Sequence, residues 1–391
     1  MVYLLLKANG LWHEEENMKI LFLSRFLKLI FAMLIFVLSI SLSVGLYLII
    51  FIVDKCNKKP KKDPKVEMNN PDRNTASIII VNFNGRKLLE ECLPSVIEAV
   101  KWDGKDHEII VVDNGSSDGS TDFVRERFPG IKIIELEKNY YFVGGNNIGI
   151  KTIINDIVIL INNDMVVDKN FIRPLLNGFT DSNIFAVSSQ IFLSNPEKFR
   201  CETGKTSGKF IYGEIEYAHD PIYDDNLTGY YPIYWAGGGS SAYDKTKFLS
   251  LGGFNPIFNP CYTEDADISH LAWKHGWRVM FTPESKVYHR HRATNLKLHG
   301  EEHIDIIIQK NKYLLIWKNI SDHGILQRHF LFLPLRLAYL TFTKKGLFGI
   351  YSFVLALKQL PEVLINRIKM PTNFKISDNE ILSSSRDYRK C

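Results

Sequence analysis

Cysteine is scarce in this sequence: there are five in 391 residues, and no two of them form a C-x-x-C pair. Because they are far apart along the chain, neither a zinc ribbon nor a disulfide framework is indicated. We therefore expect a reducing compartment. The chain also lacks internal repeats and low-complexity blocks, and its length allows one large domain or two smaller ones with extensions.

Charge is absent from one long segment near the N-terminus. Residues 29–53 form an uncharged apolar run that exceeds the ~20 residues needed for a spanning helix and is too long for a cleaved signal peptide. We predict a single transmembrane helix there, after a flank at 1–28, with a buried core helix as the alternative. Lysines crowd residues 54–75, which we expect to be a basic linker that touches anionic headgroups. Their position favours a cytoplasmic main domain.

The C-terminal region mixes apolar and basic residues, and it has no uninterrupted apolar stretch long enough to span a bilayer. Residues 301–370 are open to two interpretations. They form either interfacial amphipathic helices associated with the membrane or a helical hairpin packed on the main domain. Residues 371–391 are predicted to be a disordered tail.

Between residues 76 and 300, short apolar runs alternate with helical patterns. The strands are predicted at Ser77–Val81, Glu108–Val112, Ile131–Glu135, Ile157–Ile161 and Phe185–Ser189. This alternation indicates an α/β domain with a mostly parallel sheet covered on both faces. Ligands of such sheets bind outside the carboxyl ends of the strands. Polar residues follow three of these ends: Asn82 and Asn84, then Asp113, then Asn162, Asn163 and Asp164.

Two of these polar segments have both a structural and a functional interpretation. The sequence after the second strand, DNGSSDGS, is good turn chemistry, but Asp113 is also placed to accept from a nucleobase N–H or a ribose hydroxyl. Gly115 would let the backbone come close to that ligand. Gly144, Gly145 and Gly149 open a predicted helix, either for close packing or to bind an anion through backbone N–H groups.

The segment TEDADI brings three carboxylates within four positions: Glu264, Asp265 and Asp267. They are either stabilising charges at a helix N-terminus capped by Thr263, or they include a general base for a hydroxyl nucleophile. Further on, His289 and His291 are two apart in a predicted strand and so share a face. One of them is a candidate to complete a metal site with Asp164, the alternative being a cationic surface.

Taken together in this order, the segments SIIIVNFNG, IIVVDNGSSDGS, NYYFVGGNNIGI, ILINNDMVV, LGGFNPIF and TEDADI resemble a family 2 glycosyltransferase of the GT-A fold. The resemblance extends to the rhamnosyltransferase-like, membrane-associated members. It implies a nucleotide-diphospho-sugar donor, a divalent cation (Mn²⁺ or Mg²⁺) and inversion at the anomeric carbon. By position it makes Asp113 a ligand of the nucleotide base, Asp164 and His289 metal ligands, and Asp265 the catalytic base. The further donor and substrate contacts are expected at Asn82, Asn84, Gly145, Asn147 and Glu264.

Three residues depart from the family pattern. Asn162 replaces the first acid of the D-x-D element, Tyr141 stands where many members have glycine, and Leu271 replaces an arginine. We expect a lipid-linked glycan acceptor at the inner leaflet, and no nucleic-acid partner. The alternatives are a non-catalytic nucleotide-sugar-binding protein anchored at the membrane and, with less support, a sugar-phosphate nucleotidyltransferase.

Overall fold

The computed structural model describes residues 2–57, 73–193, 202–224, 226–289, 293–343 and 346–384. A long helix, α1 (Val2–Cys56), precedes the α/β domain. The first half of the domain alternates strands and helices: β1 (Ala76–Asn82), α2 (Arg86–Asp103), β2 (Glu108–Asp113), α3 (Ser120–Arg127), β3 (Lys132–Glu135), α4 (Tyr141–Thr152) and β4 (Ile157–Asn162). All four strands predicted here are present.

The second half of the domain is more irregular. It contains β5 (Met165–Val167), α5 (Ile172–Asn177), β6 (Ile184–Leu193), β7 (Thr206–Ile211), β8 (Glu214–His219), β9 (Tyr231–Pro232), β10 (Ser240–Asp244), α6 (Lys245–Ser250), α7 (Glu264–Lys274) and β11 (Arg278–His289). Five helices follow: α8 (Ala293–Asn319), α9 (His323–Leu340), α10 (Gly346–Lys358), α11 (Leu360–Lys369) and α12 (Asp378–Ser384).

The main sheet has the order β3-β2-β1-β4-β10-β6-β11-β5, with β9 paired to β11. The first four strands are parallel, as predicted, whereas β10 runs antiparallel to both of its neighbours. Ile78 and Ile80 of β1 point into one core, and Ile79 points into the other. This alternation explains why the strand is apolar throughout, because both faces of the sheet are covered by helices. The predicted α/β fold is therefore confirmed.

Helix α1 contains a segment, Leu21–Cys56, that is long and apolar enough to cross a membrane, and an 18-residue stretch within it has a mean hydropathy of 2.6. Its buried residues form one stripe, Ala32, Ser39, Ser43, Leu46 and Ile50, while many of its large apolar side chains are exposed. The helix packs against α9 and α11. An apolar surface around most of a helix is what contact with lipid requires. The membrane contact itself and the cytoplasmic side remain predictions, and residues 58–72 of the predicted basic linker lie outside the described residues.

The C-terminal helices combine features of both interpretations of residues 301–370. They share a buried core with the α/β domain that includes Tyr313, Trp317 and Leu326. They also expose large apolar side chains, among them Leu331, Leu335, Tyr339, Leu347 and Tyr351. Packing on the domain and an apolar outer surface thus occur together in these helices.

The prediction of a disordered tail from residue 371 is wrong for residues 378–384, which form α12. Asp378 is buried, and its carboxylate accepts hydrogen bonds from the backbone N–H groups of Ser321 (2.7 Å) and Asp322 (2.9 Å). It also contacts His270 Nε2 at 2.8 Å and Lys274 Nζ at 3.1 Å. The short polar segment gives little sign of this helix, which is held by the buried carboxylate of Asp378 and by Ile381 and Leu382, both buried in the core of the C-terminal helices.

Candidate active site

The carboxyl ends of β1, β2 and β4 meet at one edge of the sheet. Asn82 lies opposite Asp113 in the register, and its side chain is fully buried. Asn82 Nδ2 donates to Asp113 Oδ1 at 3.3 Å, and Asn82 Oδ1 accepts from Asn163 Nδ2 at 2.8 Å. The second oxygen of Asp113 accepts from the Ser116 N–H at 2.9 Å. Asn82 therefore braces the three strand ends, whereas we expected it to contact substrate.

The other expected substrate contacts also have internal partners. Asn84 Oδ1 accepts from the Ser117 N–H at 2.8 Å. Asn147 exchanges two hydrogen bonds with the backbone of Phe254, at 2.8 and 3.0 Å, and so ties α4 to a later loop. A Cβ at Gly145 would meet Val81 Cγ1 at 2.7 Å. These contacts favour positioning and close packing for all three residues, and their roles in substrate binding remain predictions.

A cavity of about 540 Å³ opens beside this edge. It is lined by Asp164, Asp265 and His289, three of the residues predicted from the sequence. Asn82, Asn84, Asp113, Gly145, Asn147 and Glu264 are not among its lining residues. The structure thus brings together the predicted metal ligands and the predicted base, with Asp164 more than 100 positions before the other two in the chain. His291, the alternative metal ligand, lies outside the described residues.

At one end of the cavity, Asp164 meets His289 because β5 pairs with the end of β11. The register places Met165 opposite His289, so the preceding residue, Asp164, lies next to the imidazole. Asp164 Oδ1 is 3.4 Å from His289 Nε2. The other ring nitrogen, Nδ1, is 2.9 Å from Glu202 Oε2. A carboxylate therefore lies on each side of the imidazole, and Nδ1–H donates to Glu202.

The charge on His289 is set by these two carboxylates. Burial opposes its protonation, but the hydrogen bonds to Asp164 and Glu202 outweigh that effect and raise the pKa of His289 to about 9. A proton on the imidazole supplies the positive charge that two neighbouring carboxylates require. Among the described residues, no three His, Cys, Asp or Glu side chains converge as a complete metal cage.

Asp265 lies at a different part of the cavity wall, in the first turn of α7. Its Oδ1 accepts from the Ala266 N–H at 2.8 Å, and its Oδ2 accepts from the Gly238 N–H at 3.4 Å. Burial raises the pKa of Asp265 to about 6, despite these hydrogen bonds. The neighbouring Glu264 has its pKa raised further, by burial and by the charge of Asp265. A carboxylate with a raised pKa at a cavity wall is suited to accept a proton near neutral pH.

The loop before Asp265 is held in an unusual conformation. Tyr262 and Thr263 both have left-handed backbone angles, with φ of 71° and 78°. Thr263 is therefore not the side-chain cap that we considered, and its hydroxyl instead lies 2.9 Å from the Tyr217 hydroxyl. Asn311 Nδ2 on α8 donates to the carbonyls of Phe258, Cys261 and Tyr262 at 2.8–3.1 Å. Strained residues persist only where their surroundings fix them, as Asn311 does here.

Tyr141 retains a glycine-like backbone with φ of 60°. Asn139 Oδ1 accepts from its N–H at 2.8 Å, and Asn114 Nδ2 donates to its carbonyl at 3.0 Å. A left-handed conformation costs a non-glycine residue about 1–2 kcal/mol. The ring lines the cavity and is 45% exposed. The tyrosine at this position therefore adds an aromatic side chain to the cavity while its backbone keeps a conformation typical of glycine.

Several lining residues were not predicted from the sequence. Glu202 follows β6 in a segment with no periodic signal, and Tyr217 and His219 come from the β7–β8 hairpin. The run Gly237–Gly239 is a feature of the sequence that could have indicated a close approach of the backbone at the site. A Cβ at Gly239 would lie 2.3 Å from the Asn162 amide, so only glycine permits this close approach to the end of β4.

The mixed sheet, the parallel strand ends and the acidic cavity beside them define a GT-A-type sugar transferase fold. Residues 77–249 match the family model described as glycosyl transferase family 2. This match agrees with the family that the sequence motifs indicated.

Three known proteins illustrate the similarity. N-acetylglucosaminyl-diphospho-decaprenol L-rhamnosyltransferase of Mycobacterium tuberculosis is 21% identical over 238 residues, which cover 55% of this chain and 76% of that protein. Polypeptide N-acetylgalactosaminyltransferase 10 of Mus musculus is 26% identical over 174 residues, 42% of this chain, and the match spans only 28% of its length. The crystal structure of GalNAc-T7 with UDP, GalNAc and Mn²⁺ superimposes with a TM-score of 0.51 at 20% identity, covering 68% of this chain and 52% of that one. This last likeness shows the fold alone.

Proposed function

We propose that the protein transfers a sugar from a nucleotide-diphospho-sugar to a hydroxyl group of an acceptor, with a divalent cation and with inversion at the anomeric carbon. The observation that carries the proposal is the single cavity that contains both the Asp164–His289 pair and Asp265. Sugar transfer needs both ends: a site for the charge of the leaving diphosphate and a base for the incoming hydroxyl.

The chemistry of Asp164 and His289 suits Mn²⁺ or Mg²⁺. Carboxylate oxygen and imidazole nitrogen are both common ligands of such ions. Their 3.4 Å separation is close to the ~3 Å between adjacent ligands of an octahedral ion with bonds of about 2.1 Å. When bound, the ion would neutralise the charge that develops on the leaving diphosphate. With Asn162 in place of the usual first acid, Asp164 supplies the carboxylate of this element, and solvent and diphosphate oxygens would complete the coordination.

Glu202 orients His289 for this role. Its carboxylate accepts a hydrogen bond from Nδ1–H, so Nε2 faces Asp164 and, once it has released its own proton, would be free to bind the ion. Carboxylate partners of this kind fix the tautomer of a metal-binding histidine and raise its basicity. Glu202 is thus a positioning residue in the proposed site.

Asp265 removes the proton from the acceptor hydroxyl as that oxygen attacks the anomeric carbon. The Gly238 and Ala266 N–H groups hold the carboxylate in place. Direct attack by the acceptor displaces the nucleoside diphosphate from the opposite face of the sugar and inverts the centre. A general base of this kind typically contributes about 10²–10⁴-fold to the rate.

The proposed acceptor is lipid-linked and the proposed location is the membrane. The spanning-length segment of α1 and the exposed apolar side chains of α9 and α10 support this setting. The mycobacterial relative carries a decaprenol-linked acceptor in its name. The proposed side is cytoplasmic, an expectation from the lysine-rich linker.

The test uses the full chain in detergent with UDP-, GDP- and dTDP-sugars, with and without Mn²⁺. We expect Mn²⁺-dependent hydrolysis of one donor class, and its loss in Asp164→Asn. Binding of a nucleotide-sugar without turnover, even with lipid-linked saccharide acceptors present, would contradict transfer and favour a non-catalytic binding protein.

A further inference from the structure

We infer that the β7–β8 hairpin and Trp235 form a subsite for a saccharide ring of the acceptor, next to Asp265. This inference rests on the proposed function and assigns part of its acceptor site. The subsite, here called the aromatic wall, consists of Tyr217, His219, Trp235 and Tyr262, all of which line the cavity together with Asp265.

The aromatic wall is a packed unit. The Tyr217 and Trp235 rings meet edge to face with centroids 5.4 Å apart, and His219 meets Trp235 at 5.5 Å. The Trp235 backbone is fixed by two hydrogen bonds with the Thr206 hydroxyl, at 2.7 and 3.0 Å. Because Thr206 begins β7, the same strand pair positions both the tryptophan and the hairpin rings. Rings held in this way lose little conformational freedom when a ligand arrives.

The wall adjoins the base through Tyr217. Its hydroxyl is 2.9 Å from the Thr263 hydroxyl, two residues before Asp265 in the chain. A ligand that rests on Tyr217 therefore lies beside the carboxylate that would take its proton.

The chemistry of the wall matches a saccharide. One face of a pyranose ring presents C–H groups, which contact aromatic rings favourably, while its hydroxyl groups bond to polar neighbours such as His219 and the Tyr217 hydroxyl. A lipid phosphate is the competing class of nucleophile. Its oxygen is already ionised, so it needs no general base, and the ionised carboxylate of Asp265 would repel it. Aromatic rings beside a base thus favour a sugar hydroxyl as the nucleophile.

The experiment compares two acceptors and two tyrosine variants in the full chain with Mn²⁺ and its active donor. The acceptors are a short-chain prenyl-diphospho-N-acetylglucosamine and the matching prenyl phosphate. Tyr217→Leu removes a wall ring, and Tyr223→Leu removes a ring that is 89% exposed and does not line the cavity. Donor KM is measured in parallel, because it reports on the donor end of the site.

We expect the saccharide acceptor to be used, and Tyr217→Leu to raise its KM about two- to twelvefold, the range for one aromatic contact. Donor KM should change by less than a factor of two, and Tyr223→Leu should match the wild type. In a second measurement, the acceptor should quench tryptophan fluorescence in the wild type and much less in Trp235→Phe.

Three results would overturn the inference. Preferred use of the prenyl phosphate would show that the nucleophile is a lipid phosphate rather than a sugar hydroxyl. An unchanged acceptor KM in Tyr217→Leu, with quenching retained in Trp235→Phe, would place the acceptor elsewhere. An enzyme that turns over no nucleotide-sugar in the presence of Mn²⁺ would instead refute the proposed function and, with it, the subsite.

Discussion

Raising the pH from 5 to 7 should increase the acceptor-dependent rate about tenfold, because Asp265 must be ionised to accept a proton. With a pKa of about 6, its carboxyl is about 9% ionised at pH 5 and about 91% ionised at pH 7. An aspartate at the ordinary value of 3.8 would already be about 94% ionised at pH 5 and would give an almost flat profile. The structural cause of the difference is the burial of the carboxyl at the start of α7.

The assay is kcat/KM for the acceptor between pH 4.5 and 8, with Mn²⁺ loading checked at each pH so that metal binding does not set the profile. Asp265→Asn should lower the rate about 10²–10⁴-fold, and its residual rate should lose the inflection near pH 6. Transfer by Asp265→Asn within a factor of three of wild type, or an unchanged inflection in that variant, would refute the assignment of the base.

The same raised pKa predicts the sign of a stability effect. The folded state binds the Asp265 proton more tightly than the unfolded state does. The stabilisation that this proton gives to the folded state is therefore complete below about pH 3.8 and is lost as pH rises through about 6. Asp265→Asn should therefore raise the midpoint temperature of thermal unfolding at pH 8, although the same substitution lowers activity. A fall in the midpoint would show that the ionised carboxylate stabilises the fold instead.

Three further predictions concern positioning and packing. Glu202→Gln should weaken Mn²⁺ binding about 10–100-fold in an electron paramagnetic resonance titration, and equal affinity would remove Glu202 from the site. Asp378→Ala should destabilise the fold by about 3–5 kcal/mol in urea unfolding, since it leaves Lys274 buried without its carboxylate partner; a loss below 1 kcal/mol would argue against an ordered α12. Gly145→Ala should lower the free energy of unfolding by about 1–3 kcal/mol, because the added methyl group overpacks the core. In Gly130→Ala the new Cβ meets nothing within 4 Å, so the free energy of unfolding should hardly change. Equal losses in the two variants would contradict the packing role of Gly145.

The sequence predicted the elements that have a strong periodic signal and missed those that depend on long-range contacts. The apolar strands β1, β2 and β4 were recognised because both faces of each strand are buried. Strand β10, with the sequence SSAYD, has no apolar run, and it is a buried strand only because β4 and β6 flank it. The three-residue β5 was also missed, although its pairing with β11 brings Asp164 to His289.

At the site, the family resemblance pointed to Asp164, Asp265 and His289, which the structure places around one cavity, but it did not separate ligand contacts from internal braces. Asn82 and Asn147 occur in polar segments that resemble a binding edge, and yet their amides satisfy neighbouring backbone and side-chain groups. Only the folded structure shows where each amide hydrogen bond goes. Glu202 was missed for the converse reason, since a lone glutamate in an irregular segment gives no local signal.

A buried polar network links the predicted anchor to α7, the helix that carries the proposed base, Asp265. Arg367 is fully buried; its Nε donates to Asp54 at the end of α1 (2.9 Å), and its Nη1 donates to the carbonyl of Trp317 at the end of α8 (2.7 Å). Lys318, which follows Trp317 in the chain, donates to Asp267 at 2.7 Å. Asp267 lies on α7, the helix that carries Asp265. Removing residues 1–65 would therefore leave Arg367 buried without its carboxylate, a loss that destabilises proteins irrespective of any membrane. The effect of the bilayer is measured more cleanly with the whole chain, by comparing detergent with lipid vesicles, because Asp54 and the support of α7 then stay in place.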